Sequence, residues 1–306
     1  MLSASPRQGA ALDQYPWLPP YLSELWHLAR HYPRLENYDV IFCWELRTTL
    51  AIALLRKFRA ANQGTKFVSV GPILKGPVLR VLPLVRWLME GAGRIVCFSR
   101  AECETQAQLL RLPRERFVFA PAPWQTIPVT AGGSGDGDYL LAVGHSARDY
   151  PTLLEAVRTT DLPVILCVRG TSDLGRAVVP PHVRVRRRTG SDETNSLVAR
   201  ARLVVVPLRD TEYSAGQSVL LRAMAAGKAV VVTETAGIRD YVQDGRTAIL
   251  VPPGDVAALR AAILRLWNDA AERERIGGAA TRAVEEKNGF SPFAAQMVRL
   301  AGDLIC

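Results

Sequence analysis

Short apolar runs alternate with helical stretches along nearly the whole chain, and this alternation constrains the fold more than any other feature. In the first half, residues 38–44, 66–71, 94–99 and 116–120 read as strands, with helical stretches at 46–62, 77–91 and 101–112 between them. An amphipathic helix at 18–31 precedes them all. Around 130–137 the sequence Thr-Ala-Gly-Gly-Ser-Gly-Asp-Gly loses all apolar period and reads as a flexible joint. The pattern then restarts: strands at 139–143, 163–168, 182–187, 203–207 and 229–233, with helices opening at 150, 194, 219, 255, 271 and 291. Strands separated by helices predict parallel sheets covered on both faces. The expected organisation is an N-terminal domain over 1–130, a linker at 131–138, a second domain over 139–290, and a last helix at 291–306 packing back toward the first. Ser291 is the expected N-cap of that helix, with Pro292 at its first position. Two such domains would leave a cleft, and ligands bind at the carboxyl ends of parallel strands.

The stretch 213–253 carries the most chemical information. It opens with Ser214, Ala215, Gly216, Gln217 and Ser218, runs into an apolar helix ending at Gly227, and continues into a buried strand and a second turn and helix at 236–242. A loop of small residues entering a helix presents free backbone N–H groups and a positive dipole end, which is an anion site. The N–H groups of Gln217, Ser218 and Val219 are the expected donors. A second candidate is the turn after strand 139–143, with Gly144, His145 and Arg148. A glycine leaving a strand allows close backbone approach to a ligand. Arg148 places a permanent cation beside the turn, either on a phosphate or paired with Asp149 at the surface.

These residues resemble the donor-binding half of GT-B glycosyltransferases, above all the retaining group often called family 4 (group 1). The resemblance covers most of residues 94–304 and is strongest at 139–156 and 203–255. It implies two Rossmann-like βαβ domains facing across a cleft, here with a shortened N-terminal domain. It also implies transfer of a sugar from a nucleotide-diphosphate sugar to an acceptor hydroxyl with retention. In such a same-face reaction the leaving phosphate helps to take the acceptor's proton. Arg148 matches one member of a basic pair that holds the donor's diphosphate, and His145 stands where the family more often has Arg. The family places a Glu, seven residues and a second Glu directly before Ala-Met. Ala223-Met224 sets that register here, so Ser214 and Arg222 occupy the two carboxylate positions, which in the family lie near the transferred sugar and the ribose. Glu212 is two residues too early for the first. Glu212, Ser214 and Arg148 are therefore the catalytic candidates. Gly144, His145, Arg148, Gly216, Gln217, Ser218, Val219 and Arg222 are the donor-binding candidates. Arg222 would contact phosphate or pair with a neighbouring acid. The turn from Glu234 to Asp240 is expected to support the cleft. The missing carboxylates leave a second class open: an inactive GT-B-like nucleotide-binding protein or partner subunit.

No cofactor and no metal are expected. The sequence offers no paired acids in a suitable loop, and His27 and His31, four apart on one helix face, have no third ligand in view. Cys43, Cys97 and Cys167 lie in apolar runs, and the odd count of five favours reduced thiols. No apolar run approaches the roughly 20 residues that span a bilayer, and no signal-peptide pattern opens the chain, so a cytoplasmic location is the expectation. The net charge of +9 is uneven: residues 1–130 hold 16 Lys and Arg against 9 Asp and Glu, while residues 131–306 hold 22 against 20. That basic first half suits peripheral contact with an anionic membrane or acceptor, or is simply a solvated surface. Nucleic acid is not expected, since no recognition motif accompanies the charge. The run from Lys75 to Trp87, apolar with basic punctuation, reads first as a core helix and second as a docking surface for a membrane or a lipid-linked acceptor. Ser99 is the expected N-cap of the helix after strand 94–99, with Glu102 completing a capping box.

Overall fold

The computed structural model of the chain describes residues 35, 37–58, 64–124, 137–211 and 213–305. The expected helix at 18–31, with His27 and His31, lies outside the described residues, as do most of the expected joint and Glu212. The chain divides into two compact units. The first comprises the residues up to Phe119 with those from Met297 onward; the second runs from Ala120 to Gln296.

The first unit holds a four-stranded parallel sheet in the order β1-β2-β3-β4, with β1 Val40–Trp44, β2 Lys66–Val70, β3 Arg94–Cys97 and β4 Phe117–Phe119. Helices α1 Glu45–Phe58, α2 Leu82–Met89 and α3 Arg100–Leu110 connect the strands. A 3₁₀ turn, Gly76–Val81, precedes α2, so the expected single helix at 77–91 is split. Pro83 falls in the first turn of α2, where its missing N–H costs nothing. The Ser99 cap forms: its Oγ accepts from the Glu102 N–H at 3.0 Å. The Glu102 carboxylate accepts in return from the N–H of Phe98 at 3.1 Å. Both sides of a helix entry are thereby satisfied.

The second unit is a six-stranded parallel sheet in the order β10-β9-β8-β5-β6-β7. Its strands are β5 Leu140–Val143, β6 Val164–Val168, β7 Val183–Arg187, β8 Leu203–Val206, β9 Val230–Thr233 and β10 Ile249–Val251. Its helices are α4 Tyr150–Val157, α5 Ser191–Arg200, α6 Gln217–Ala225, α7 Val256–Asn268 and α8 Ala270–Lys287; α9, Phe290–Ile305, begins in this unit. The sheet's apolar residues sort by parity. Leu141, Val143, Val204, Val206, Val230 and Val232 pack on one face with Leu220, Met224 and Val284. Leu140, Ala142, Leu203, Val205 and Val231 pack on the other with Tyr150, Leu153, Leu259 and Ile263. Successive side chains of a strand point to opposite faces, so a sheet covered on both sides needs unbroken apolar strands, as these are.

Three local expectations are corrected. Residues 236–242 form consecutive turns, with Ile238 and Arg239 N–H groups both donating to Thr235 O, and no helix develops. The strand β10 was not among the strands expected from sequence. The last helix starts at Phe290, before Ser291, which lies inside its first turn. Cys43, Cys97, Cys103 and Cys167 are buried free thiols.

Candidate functional site

The strand order of the second unit makes the site. The chain lays down β5, proceeds through β6 to β7 on one side, then returns to place β8 against β5 on the other. Connections leave in opposite directions from β5 and β8, opening a crevice at their carboxyl ends, where ligands of doubly wound sheets bind. A cavity of about 430 Å³ occupies this end of the sheet. Its wall includes Val143, Gly144 and His145 after β5, Arg169 after β6, Arg188 and Thr189 after β7, Ser191 and Thr194 of α5, and Ser218, Val219 and Arg222 of α6.

The structure therefore brings together Gly144, His145, Ser218, Val219 and Arg222 from the expected set. Helix α6 enters the cavity wall from Gly216, which adopts φ 91° and has no side chain to cap the helix. A Cβ at this position would meet the Leu208 side chain at 2.9 Å. The Val219 and Leu220 N–H groups both return to Gly216 O, at 3.1 and 3.0 Å. Val219 is thus not the free donor expected. Among the described residues, the Gln217 and Ser218 N–H groups have no backbone acceptor, which leaves the positive end of α6 open beside the cavity. The Gln217 side chain turns away and donates to Gly237 O at 3.0 Å, tying the helix to the turn after β9. Ser214 is buried against that same turn and does not line the cavity.

Arg148 takes a position the sequence does not foretell. It is 5% exposed and absent from the cavity wall. Its Nε donates to Val143 O at 3.0 Å and its Nη1 to Ser146 O at 2.9 Å. The guanidinium occupies the space where a Cβ of Gly144 would stand, so the glycine makes room for this arginine. Burial lowers the pKa of Arg148, with Tyr150 opposing. Asp149 does not pair with it: its carboxylate caps α4, accepting from the Thr152 N–H and hydroxyl at 3.3 and 2.7 Å. Arg148 holds the turn through these bonds, outside the cavity wall.

The cavity's cations are instead Arg169, Arg188 and Arg222. Arg169 and Arg188 directly follow β6 and β7. Arg188 sits at φ 54°, a left-handed conformation unusual for a residue with a side chain. Neither was singled out from sequence, although the rule that ligands meet the carboxyl ends of strands, applied to every strand, finds both. Arg222 is half-buried, and burial lowers its pKa. Its guanidinium lies over the Trp124 ring, 5.7 Å from the centroid, and its Nε is buried with no hydrogen-bond partner. Among the described residues, no Asp or Glu lines the cavity. Three arginines and an open helix end, with no acid among the described lining residues, are suited to an anion of several charges. Among the described residues, no group of three or more His, Cys, Asp and Glu side chains is placed to hold a metal ion, and no helix is long and apolar enough to cross a membrane.

Comparison with known proteins agrees with this architecture. Residues 140–269 match the family described as glycosyl transferases, group 1. A stretch of 82 residues is 39% identical to a phosphatidyl-myo-inositol mannosyltransferase of Mycobacterium leprae, covering 27% of this chain and 22% of that protein. The chain thus spans about a fifth of that relative's length. Among solved structures, sucrose-phosphate synthase of Thermosynechococcus elongatus superposes with a TM-score of 0.71 at 18% identity, over 93% of this chain and 78% of that one. Anabaena HepE in complex with UDP-glucose gives 0.71 at 14% identity, over 95% and 84%. The chain has the GT-B fold, and residues 140–269 of its second unit match the group 1 glycosyl transferase model.

Proposed function

We propose that the chain transfers a sugar from a nucleotide-diphosphate sugar to an acceptor hydroxyl, with retention and without a metal ion. The observation that carries this reading is the cavity at the switch of the second sheet, with Arg169, Arg188 and Arg222 around it, no acid among its described lining residues, and the open end of α6 in its wall. A diphosphate sits against the helix end, and the guanidinium groups neutralise the charge that develops on it as the sugar leaves. HepE is a fold neighbour described in complex with UDP-glucose, which supports a sugar nucleotide as the ligand. The mannosyltransferase relative makes a lipid-linked acceptor the first class to test.

Thermal-shift measurements with UDP-, GDP-, TDP- and ADP-sugars test the reading. At least one donor should raise the melting temperature, because a ligand that binds only the folded state stabilises it. If none does, the proposal fails. The replacement of both expected carboxylates by Ser214 and Arg222, with no acid among the described wall residues, favours a second reading, a nucleotide-binding relative without transfer. A donor that binds and is neither hydrolysed nor transferred in the presence of acceptors would establish that alternative.

A further inference from the structure

The first unit carries a surface that the nucleotide site does not use. The 3₁₀ turn Gly76–Val81 and helix α2 present two apolar faces. One is buried: Val85, Leu88 and Met89 pack into the core of the first unit. The other faces outward, with Leu79 45% exposed, Val81 50%, Leu84 52% and Trp87 40%. Scattered exposed apolar residues are ordinary, but four along one short stretch mark a contact surface. The core-helix expectation for this segment holds for only one of its faces.

Charge decides what the exposed face fits. The ammonium of Lys57, from α1, lies 4.6 Å from the centre of the Trp87 ring. Arg80 stands between Leu79 and Val81, and Arg86 follows Val85 in α2. From Leu46 to Ala101 the chain holds ten Lys and Arg and a single acid, Glu90. Glu90 lies 4.0 Å from the Arg86 Nε. An apolar protein partner would need no such excess of cations, and a nucleic acid would have no use for exposed leucines. An anionic bilayer uses both: aliphatic groups and a tryptophan enter the headgroup–acyl boundary while Lys and Arg reach the lipid phosphates. We propose that the strip from Leu79 to Trp87, flanked by Lys57, Arg80 and Arg86, seats the first unit on an anionic lipid surface.

Co-sedimentation of the full chain with vesicles tests this. One set is phosphatidylcholine alone; the other contains phosphatidylglycerol as well. Binding is expected to the phosphatidylglycerol vesicles and to weaken as salt is raised. The double variant Leu84→Glu, Trp87→Glu should bind at least about tenfold more weakly. Val178→Glu, at a position 81% exposed in the second unit, should bind like the wild type. Circular dichroism checks that the double variant folds, and Arg80→Glu serves if it does not, with the same direction of change expected. Equal binding to both vesicle types, or unchanged binding of the variants, would overturn the proposal. So would a concentration-dependent dimer that the double variant dissolves, since the strip would then join two copies of the chain. Vesicle binding and nucleotide binding are measured separately, so either can fail without the other.

Discussion

The guanidinium of Arg222 lies 5.7 Å from the centroid of the Trp124 indole, at the wall of the cavity in the second unit. The buried nitrogens Arg222 Nε and Trp124 Nε1 both lack a hydrogen-bond partner. A buried donor left without a partner costs free energy that a bound acceptor recovers. Arg222 lines the cavity, so its charge bears on what the cavity accepts. Arg222→Ala should weaken binding of the stabilising sugar nucleotide by about 1.5–3 kcal/mol, roughly tenfold to a hundredfold. Arg222→Glu should weaken it further, because a carboxylate would then face the phosphates. Isothermal titration calorimetry measures both, and tighter binding by Arg222→Glu would show that the cavity does not hold an anion at this position.

Arg148 should behave as a structural residue. Its hydrogen bonds go to Val143 O and Ser146 O, and nothing of it lines the cavity. Arg148→Ala leaves two carbonyls short of a donor and should cost about 1–3 kcal/mol of stability, read as a lower denaturant midpoint. Donor affinity of the fraction that remains folded should change much less than in Arg222→Ala. A large affinity loss at unchanged stability would return Arg148 to the ligand.

Two adjacent glycines of α8 should respond in opposite directions. A Cβ on Gly277 would run into the carbonyl of Gly227, where the loop after α6 crosses α8. A Cβ on Gly278 finds nothing nearer than Arg282 Nη1, at 3.8 Å. Gly277→Ala should therefore destabilise by about 1–3 kcal/mol, as overpacking against backbone does. Gly278→Ala should stabilise by about 0.5–1 kcal/mol through the lost backbone freedom of glycine in a helix. Melting temperatures of the two variants decide the matter.

Burial pushes the Cys43 thiol up from its ordinary 9.0 to about 12, with Arg56 pulling the other way. Its folded pKa is raised, so its contribution to stability is complete below pH 9 and is lost as pH rises toward 12. Native protein at neutral pH should leave Cys43 unalkylated, since the thiolate is the reactive form. Peptide mapping after maleimide treatment checks this, and modification of Cys43 without denaturant would contradict its burial.

Much of the fold is legible from residue order. The runs that became β5, β6, β8 and β9 are fully buried strings of Val, Leu and Ile broken only by Ala142, Cys167 and a terminal Thr233, as a sheet covered on both faces requires. The small-residue entry to α6 also announces itself, because the open helix end is a local property of Gly216 and the residues after it. The segment 236–242 misled because its apolar residues look helical, while Gly237 is held by the Gln217 side chain, from a helix before the preceding strand.

The identities of the cavity cations could not be read in this way. Sequence supplied the two parallel sheets, the turn at Gly144 and the helix end at Ser218, since apolar periodicity and turn chemistry act over a few residues. It could not say where each guanidinium points. That was decided by the order β7-β6-β5-β8, which brings the ends of strands far apart in the chain around one cavity. It was decided also by the turn at Gly144, where the Val143 and Ser146 carbonyls bind the Arg148 guanidinium, while Arg169, Arg188 and Arg222 line the cavity. A long flexible cation takes whichever partner its tertiary surroundings provide, and only the folded chain defines those surroundings.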